Sequence, residues 1–161
     1  MPEDFDYRIT RLGSADSDSL LRMMGMFGDV FDEVELYTAR RPGTAYLEKL
    51  LADDSVIALA AEHSGEIVGG VVAYEFRKLE REISEWYIYD LAVVEACRRR
   101  GIATALIGEV GRIASAKGAD VMFIQADSGN AEAVSLYSHL GRHERIHNFE
   151  IDLKRDDDRR D

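Results

Sequence analysis

Tyr87-Ile88-Tyr89-Asp90-Leu91-Ala92-Val93-Val94 runs directly into Glu95-Ala96-Cys97-Arg98-Arg99-Arg100-Gly101-Ile102-Ala103-Thr104. The first stretch is dense in aromatic and β-branched side chains and belongs to a candidate strand over 83–94. The second leads into Ile102, Leu106, Val110 and Ile113, which share one face of a helix. A helix N-terminus exposes unpaired N–H groups and the positive end of its dipole, and a glycine there lets an anion approach the backbone. Arg98, Arg99 and Arg100 add three consecutive cations, and the Thr104 hydroxyl adds a donor in the first turn. Two readings are open for this junction: an anion cradle, or a solvated loop ahead of a well-capped helix. The chain contains neither G-x-G-x-x-G nor G-x-x-x-x-G-K-[ST], so a cradle here serves a nucleotide cofactor of another kind.

Working outward, strands over 56–62 and 67–76 flank His63-Ser64-Gly65-Glu66, a polar link with the glycine of a hairpin. Pro42 and Gly43 break the chain before a helix over 44–52, whose apolar side carries Tyr46, Leu47, Leu50 and Leu51. A helix over 16–31 places Leu20, Met23, Met24 and Phe27 at helical spacing, behind a short strand over 7–12. On the other side come a strand over 121–126, a helix over 131–140 with Val134, Tyr137 and Leu140, and a last strand over 145–153. The order β-α-α-β-β-β-α-β-α-β predicts an α/β fold around a mixed sheet. It spans one domain over 5–153, with a charged tail, KRDDDRRD, from Lys154 to Asp161.

The 161 residues carry 20 Lys and Arg against 31 Asp and Glu, a net charge of −11, with 46% hydrophobic residues. That supports a folded core and excludes a disordered chain. The tail is neutral overall, so the body holds the whole excess; it repels phosphate backbones and attracts cationic small molecules, which argues against nucleic acid as partner. No uncharged stretch approaches the roughly 18 to 20 apolar residues of a membrane span, and the acidic start shows no secretory signal. A single cysteine, Cys97, fits a reducing cytoplasm.

Arg98-Arg99-Arg100-Gly101-Ile102-Ala103 resembles the Q/R-x-x-G-x-G/A motif with which the GNAT acetyltransferase superfamily binds the pyrophosphate of acetyl-coenzyme A. Asn130, Tyr137 and Leu140-Gly141 stand at the matching places further on. Ser84 to Val93, Gln125-Ala126-Asp127, Ala133 to Gly141 and Phe149-Glu150-Ile151-Asp152 are similar to the aminoglycoside 3-N-acetyltransferases of gentamicin-resistant bacteria. The likeness runs from about Arg8 to Asp152 and departs at Ser128 and Asn130, where that family tends to have an aromatic residue and an acid.

The resemblance implies a GNAT fold, a mixed and mostly antiparallel central sheet flanked by about four helices. It implies acetyl-coenzyme A as cofactor, no metal, a homodimer, and direct transfer in a ternary complex to the 3-amino group of an aminoglycoside. Other acceptors, such as a polyamine, and a non-catalytic acyl-coenzyme A sensor are the alternatives. Cofactor contacts then fall on Leu91, Ala92 and Val93, on Arg98 through Thr104, and on Asn130 and Tyr137. The backbone N–H groups of Leu91 to Val93 are candidates to stabilise the developing oxyanion.

Because an ammonium has no lone pair, a base must remove its proton, and the resemblance gives that role to Asp90. A polar residue satisfied by backbone donors is the other reading of Asp90. Tyr137 is either the acid for the leaving thiolate or a core aromatic, and Asn130 either a cofactor contact or a helix N-cap. Acids at Glu33, Glu35, Asp90, Asp127, Glu150 and Asp152 are candidates to hold a polycationic substrate; those beyond Asp90 also read as solvated faces.

His143-Glu144-Arg145-Ile146-His147 matches the zinc-protease pattern H-E-x-x-H. That chemistry requires a helix, and the alternation in 148–153 predicts a strand, on which residues four apart lie about 13 Å from each other. Cys97 reads as a loop or packing residue, since no base is placed beside it.

Overall fold

The computed structural model describes residues 5–153, so the charged tail lies outside the described residues. The elements are β1 (Arg8–Arg11), α1 (Ser17–Phe31), α2 (Val34–Thr38), α3 (Thr44–Ala52), β2 (Val56–His63), β3 (Glu66–Arg77), β4 (Ser84–Val93), α4 (Ile102–Ala116), β5 (Ala119–Ile124) and α5 (Ala131–Leu140). They fall into two compact units, the first ending at Gln125 and the second beginning at Ala126.

In the first unit five strands form one sheet in the order β1-β2-β3-β4-β5. Every neighbouring pair is antiparallel except β4 and β5, which are parallel. Apolar side chains cover both faces. On one face Leu59, Val71, Trp86 and Ile88 pack with Ile102, Leu106 and Val110 of α4. On the other, Ala58, Ala60, Val72 and Ala92 pack with Met23 and Phe27 of α1 and with Leu47 of α3.

One irregularity in this sheet decides where a central side chain points. Strands β3 and β4 pair Val72 with Asp90 but Ala73 with Ile88, so Tyr89 is an extra residue on β4. Before it, Trp86 and Ile88 face the α4 side; after it, Leu91 and Val93 do, and Ala92 has moved to the α1 side. The bulge therefore exchanges the two faces of the strand and turns Asp90 toward α1 and α2.

Helix α2 is a fifth helix where the pattern predicted four; at five residues it makes less than one and a half turns and leaves no periodic signal. It follows α1 through a reversal in which Asp32 takes a left-handed conformation (φ 55°) and the Glu33 N–H donates to the Gly28 carbonyl at 2.9 Å. A Cβ on Gly28 would lie 3.1 Å from the Val34 Cα and 3.3 Å from the Tyr37 Cβ, so a side-chain-free position lets α2 fold back this closely. The rings of Phe27, Phe31 and Tyr37 pack together, with centroids 5.7 to 6.1 Å apart.

In the second unit α5 is capped by Asn130, whose Oδ1 accepts from the Ala133 N–H at 3.1 Å. The strand expected over 145–153 is absent: these residues take no regular structure. The alternation that predicted it is real, but a strand needs an edge to pair with, and Phe149, Ile151 and Leu153 remain more than 80% exposed among the described residues. The H-E-x-x-H stretch is likewise neither helix nor strand.

Phe27 is 1% exposed and supports both the α1 side of the sheet and the α2 packing. Phe27→Ala is expected to cost about 3–5 kcal/mol in urea unfolding; an unchanged midpoint would contradict this packing.

Candidate active site

Asp90 sits in the part of β4 that the sheet leaves open. The parallel ladder between β4 and β5 runs only from Ser84–Ala119 to Ile88–Ile124, so beyond Ile88 the described residues give β4 a strand neighbour on the β3 side alone. The carboxylate accepts a hydrogen bond from the Tyr37 hydroxyl, 3.0 Å to Oδ1. Burial pushes the Asp90 carboxyl above the usual carboxylate range; the Tyr37 hydrogen bond opposes this, and the charge of Glu33 adds to it. Burial, with the charge of Asp90 second, raises the Tyr37 phenol as well, so it remains an O–H donor at working pH.

Aromatic rings border this carboxylate. Tyr89 meets Tyr74 of β3 edge-on at 5.8 Å and Tyr87 at 5.5 Å. Tyr87 stacks on Phe123 of β5 at 4.8 Å, and its hydroxyl donates to Gln125 Oε1 at 2.7 Å. Tyr89 is 62% exposed. An acid flanked by accessible ring faces suits a cation, because ring faces attract ammonium groups.

At the end of β4 the Arg98 Nε donates to the Val93 carbonyl at 3.1 Å and ties the cationic loop to the strand. Cys97 is buried in the α4-side core as a free thiol. Arg99 adopts φ 59°, and the Arg100 guanidinium lies 4.3 Å from the centroid of the Phe5 ring. Gly101 caps α4 at φ 79°, a conformation that favours glycine, and a Cβ built on it would meet nothing within 4 Å. No side chain caps this helix end, so the first-turn N–H groups of Ile102, Ala103 and Thr104 have neither a capping side chain nor an intrahelical partner. Uncapped amides, a bare glycine and flanking arginines fit a pyrophosphate.

A family model described as acetyltransferase (GNAT) family matches residues 24–141. The chain belongs to the GNAT acetyltransferase family. Among solved structures, an aminoglycoside acetyltransferase from an uncultured soil metagenomic sample is 45% identical over 92% of this chain and 99% of its own, with a TM-score of 0.91. A second aminoglycoside acetyltransferase from an uncultured soil metagenomic sample, in complex with sisomicin, is 28% identical over 96% of this chain and 100% of its own, with a TM-score of 0.84. AAC(6')-Iy, in complex with the bisubstrate analogue CoA-S-monomethyl-acetylneamine, shares the fold at 17% identity and a TM-score of 0.72, over 92% of this chain and 99% of its own. Comparison with curated proteins gives no match.

The first unit of this GNAT acetyltransferase brings Asp90, Glu33 and Tyr37 together and sets Leu91 to Val93 on the same strand as Asp90. Glu35 is exposed on α2. Asp127, Asn130, Tyr137, Glu150 and Asp152 belong to the second unit, where Tyr137 is partly buried, which raises its phenol, and Asn130 serves as the α5 cap. No helix among the described residues is long and apolar enough to cross a membrane, and none of their His, Cys, Asp and Glu side chains form a metal-holding group of three. Sequence reasoning missed Tyr37, Tyr74 and Tyr89. The signal for the two strand tyrosines was there, since aromatics alternate along Tyr74-Glu75-Phe76 and Tyr87-Ile88-Tyr89. Tyr37 left none.

Two outcomes follow for this site. Gly101→Val places a β-branched residue at φ 79° over the helix amides and is expected to weaken coenzyme A binding at least ~10-fold by calorimetry, since each charge-assisted contact to phosphate contributes strongly; unchanged affinity would remove the cradle from the cofactor site. Asp90 has a folded-state pKa above its unfolded value, so its ionisation costs stability as pH rises through the window above about 4, and the penalty is complete above the folded pKa. Asp90→Asn is therefore expected to raise Tm at pH 8 and to give no gain near pH 3; a lower Tm at pH 8 would contradict the burial of the charge.

Proposed function

We propose that this acetyltransferase acts on the 3-amino group of aminoglycoside antibiotics, by direct transfer from acetyl-coenzyme A in a ternary complex, and so confers resistance. The observation that carries the reading is the half-buried Asp90 carboxylate turned out of the strand by the bulge, beside Glu33 and the exposed ring of Tyr89. The acceptor class is supported by the 45% identity to an aminoglycoside acetyltransferase over 92% of the chain.

The α4 amides of Ile102, Ala103 and Thr104, with Arg99 and Arg100, hold the pyrophosphate, and Arg98 fixes the loop that presents them. When bound, the cofactor supplies an acetyl thioester as electrophile. Asp90 draws in the acceptor ammonium and takes its proton, directly or through a water; burial raises its pKa and makes it a better base than an ordinary carboxylate. Glu33 and Glu35 fix further ammonium groups of a polycation, which a monoamine would not need. Leu91 to Val93 offer backbone N–H groups near the reacting carbonyl. Asp127, Glu150 and Asp152 as substrate contacts, Asn130 as a cofactor contact and Tyr137 as proton donor to the leaving sulfur complete the reading. The exposed apolar side chains of Phe149, Ile151 and Leu153 support a homodimer. The lone cysteine supports a cytoplasmic setting.

Purified enzyme with acetyl-coenzyme A is expected to release thiol rapidly with gentamicin or sisomicin and slowly with spermidine, with product NMR placing the acetyl group on the 3-amino nitrogen. Asp90→Asn should lower kcat/KM at least ~100-fold, the scale of general base catalysis, while coenzyme A binding persists. Turnover of spermidine alone would shift the acceptor to polyamines; binding of the cofactor with no acceptor turned over would leave a sensor.

A further inference from the structure

We propose that Tyr37 is a positioning residue for the Asp90 carboxylate: its hydroxyl, delivered by α2, donates to Oδ1 at 3.0 Å and keeps the other oxygen turned toward the acceptor amine. Among the described residues Tyr37 is the sole hydrogen-bond donor to this carboxylate, so nothing else fixes its rotation. The inference rests on Asp90 being the base.

The donor is built to be rigid. The reversal at Asp32 and the close approach over Gly28 set the start of α2, and Phe27 and Phe31 hold the Tyr37 ring at 6.1 and 6.0 Å. The phenol itself stays neutral, being pushed up by burial and by Asp90. The groups facing the carboxylate are Glu33 and Tyr37 from the α2 side, Tyr74 from β3, and Tyr87 and Tyr89 from β4 itself. Among these, Glu33 and burial both favour the protonated acid, and Tyr37 favours the carboxylate. One hydroxyl therefore does two things: it aims the base, and it opposes the rise that burial and Glu33 impose on its pKa.

The test is Tyr37→Phe, which keeps the ring and removes the donor, followed by ¹³C NMR titration of the Asp90 carboxyl and by kcat/KM against pH. The proposal expects the Asp90 titration and the acid limb of the rate profile to move together to higher pH. It also expects kcat/KM on the plateau to fall about tenfold, in line with loss of a hydrogen bond to a charged group. The KM for acetyl-coenzyme A should hold. If Asp90→Asn retains full activity, the base assignment fails. If Asp90→Asn is inactive but Tyr37→Phe leaves both titration and limb in place, the role of Tyr37 is overturned, whether or not the rate falls. The NMR titration reads the coupling even with no acceptor present, and an unmoved Asp90 there overturns it.

Discussion

A β-strand has two faces, and an odd insertion exchanges them. In β4 the exchange falls at Tyr89, opposite the Val72–Ala73 step of β3. Without it Asp90 would continue the series Trp86, Ile88 and point into the packed α4 face, where a carboxylate with no partner is untenable. With it the acid emerges toward α2, in the stretch where β4 has lost β5 as a neighbour. The direction of the Asp90 carboxylate and its bond to Tyr37 both depend on that single extra residue.

Charge is segregated around the same strand. The chain carries a net −11, and the local acid beside Asp90, Glu33, adds to the field that a polycation meets. The cationic exception, Arg98 to Arg100, follows the C-terminal end of β4, where the uncapped start of α4 already favours an anion. A cation-seeking carboxylate and an anion-seeking loop thus stand at the same end of one strand. That juxtaposition suits joining an ammonium acceptor to a pyrophosphate-bearing donor, and Arg98, bonded to the Val93 carbonyl, ties the loop to the strand.

Much of this was legible in the sequence because it rests on local rules. Ile102 to Ile113 show the helical period, the helices over 44–52 and 131–140 match their observed limits, and Gly101 marks the cap by its conformational freedom. The family resemblance singled out Asp90, yet the face it points to depends on pairing between Val72 and Asp90, eighteen positions apart, which no window of residues contains. Tyr37 escaped for the same reason: its partner is 53 positions away and its helix is too short to show a period. The segment 145–153 misled in the opposite sense, since alternation states which side chains share a face and says nothing of whether an edge is there to pair with.

The most direct measurement is the distance between the acceptor nitrogen and the Asp90 carboxylate in a crystal of the enzyme with coenzyme A and sisomicin. The account predicts an amine nitrogen within about 3.2 Å of a carboxylate oxygen, or bridged to it by one water, with Tyr37 still on the other oxygen. An amine seated against a different acid, with Asp90 turned away from both ligands, would contradict it.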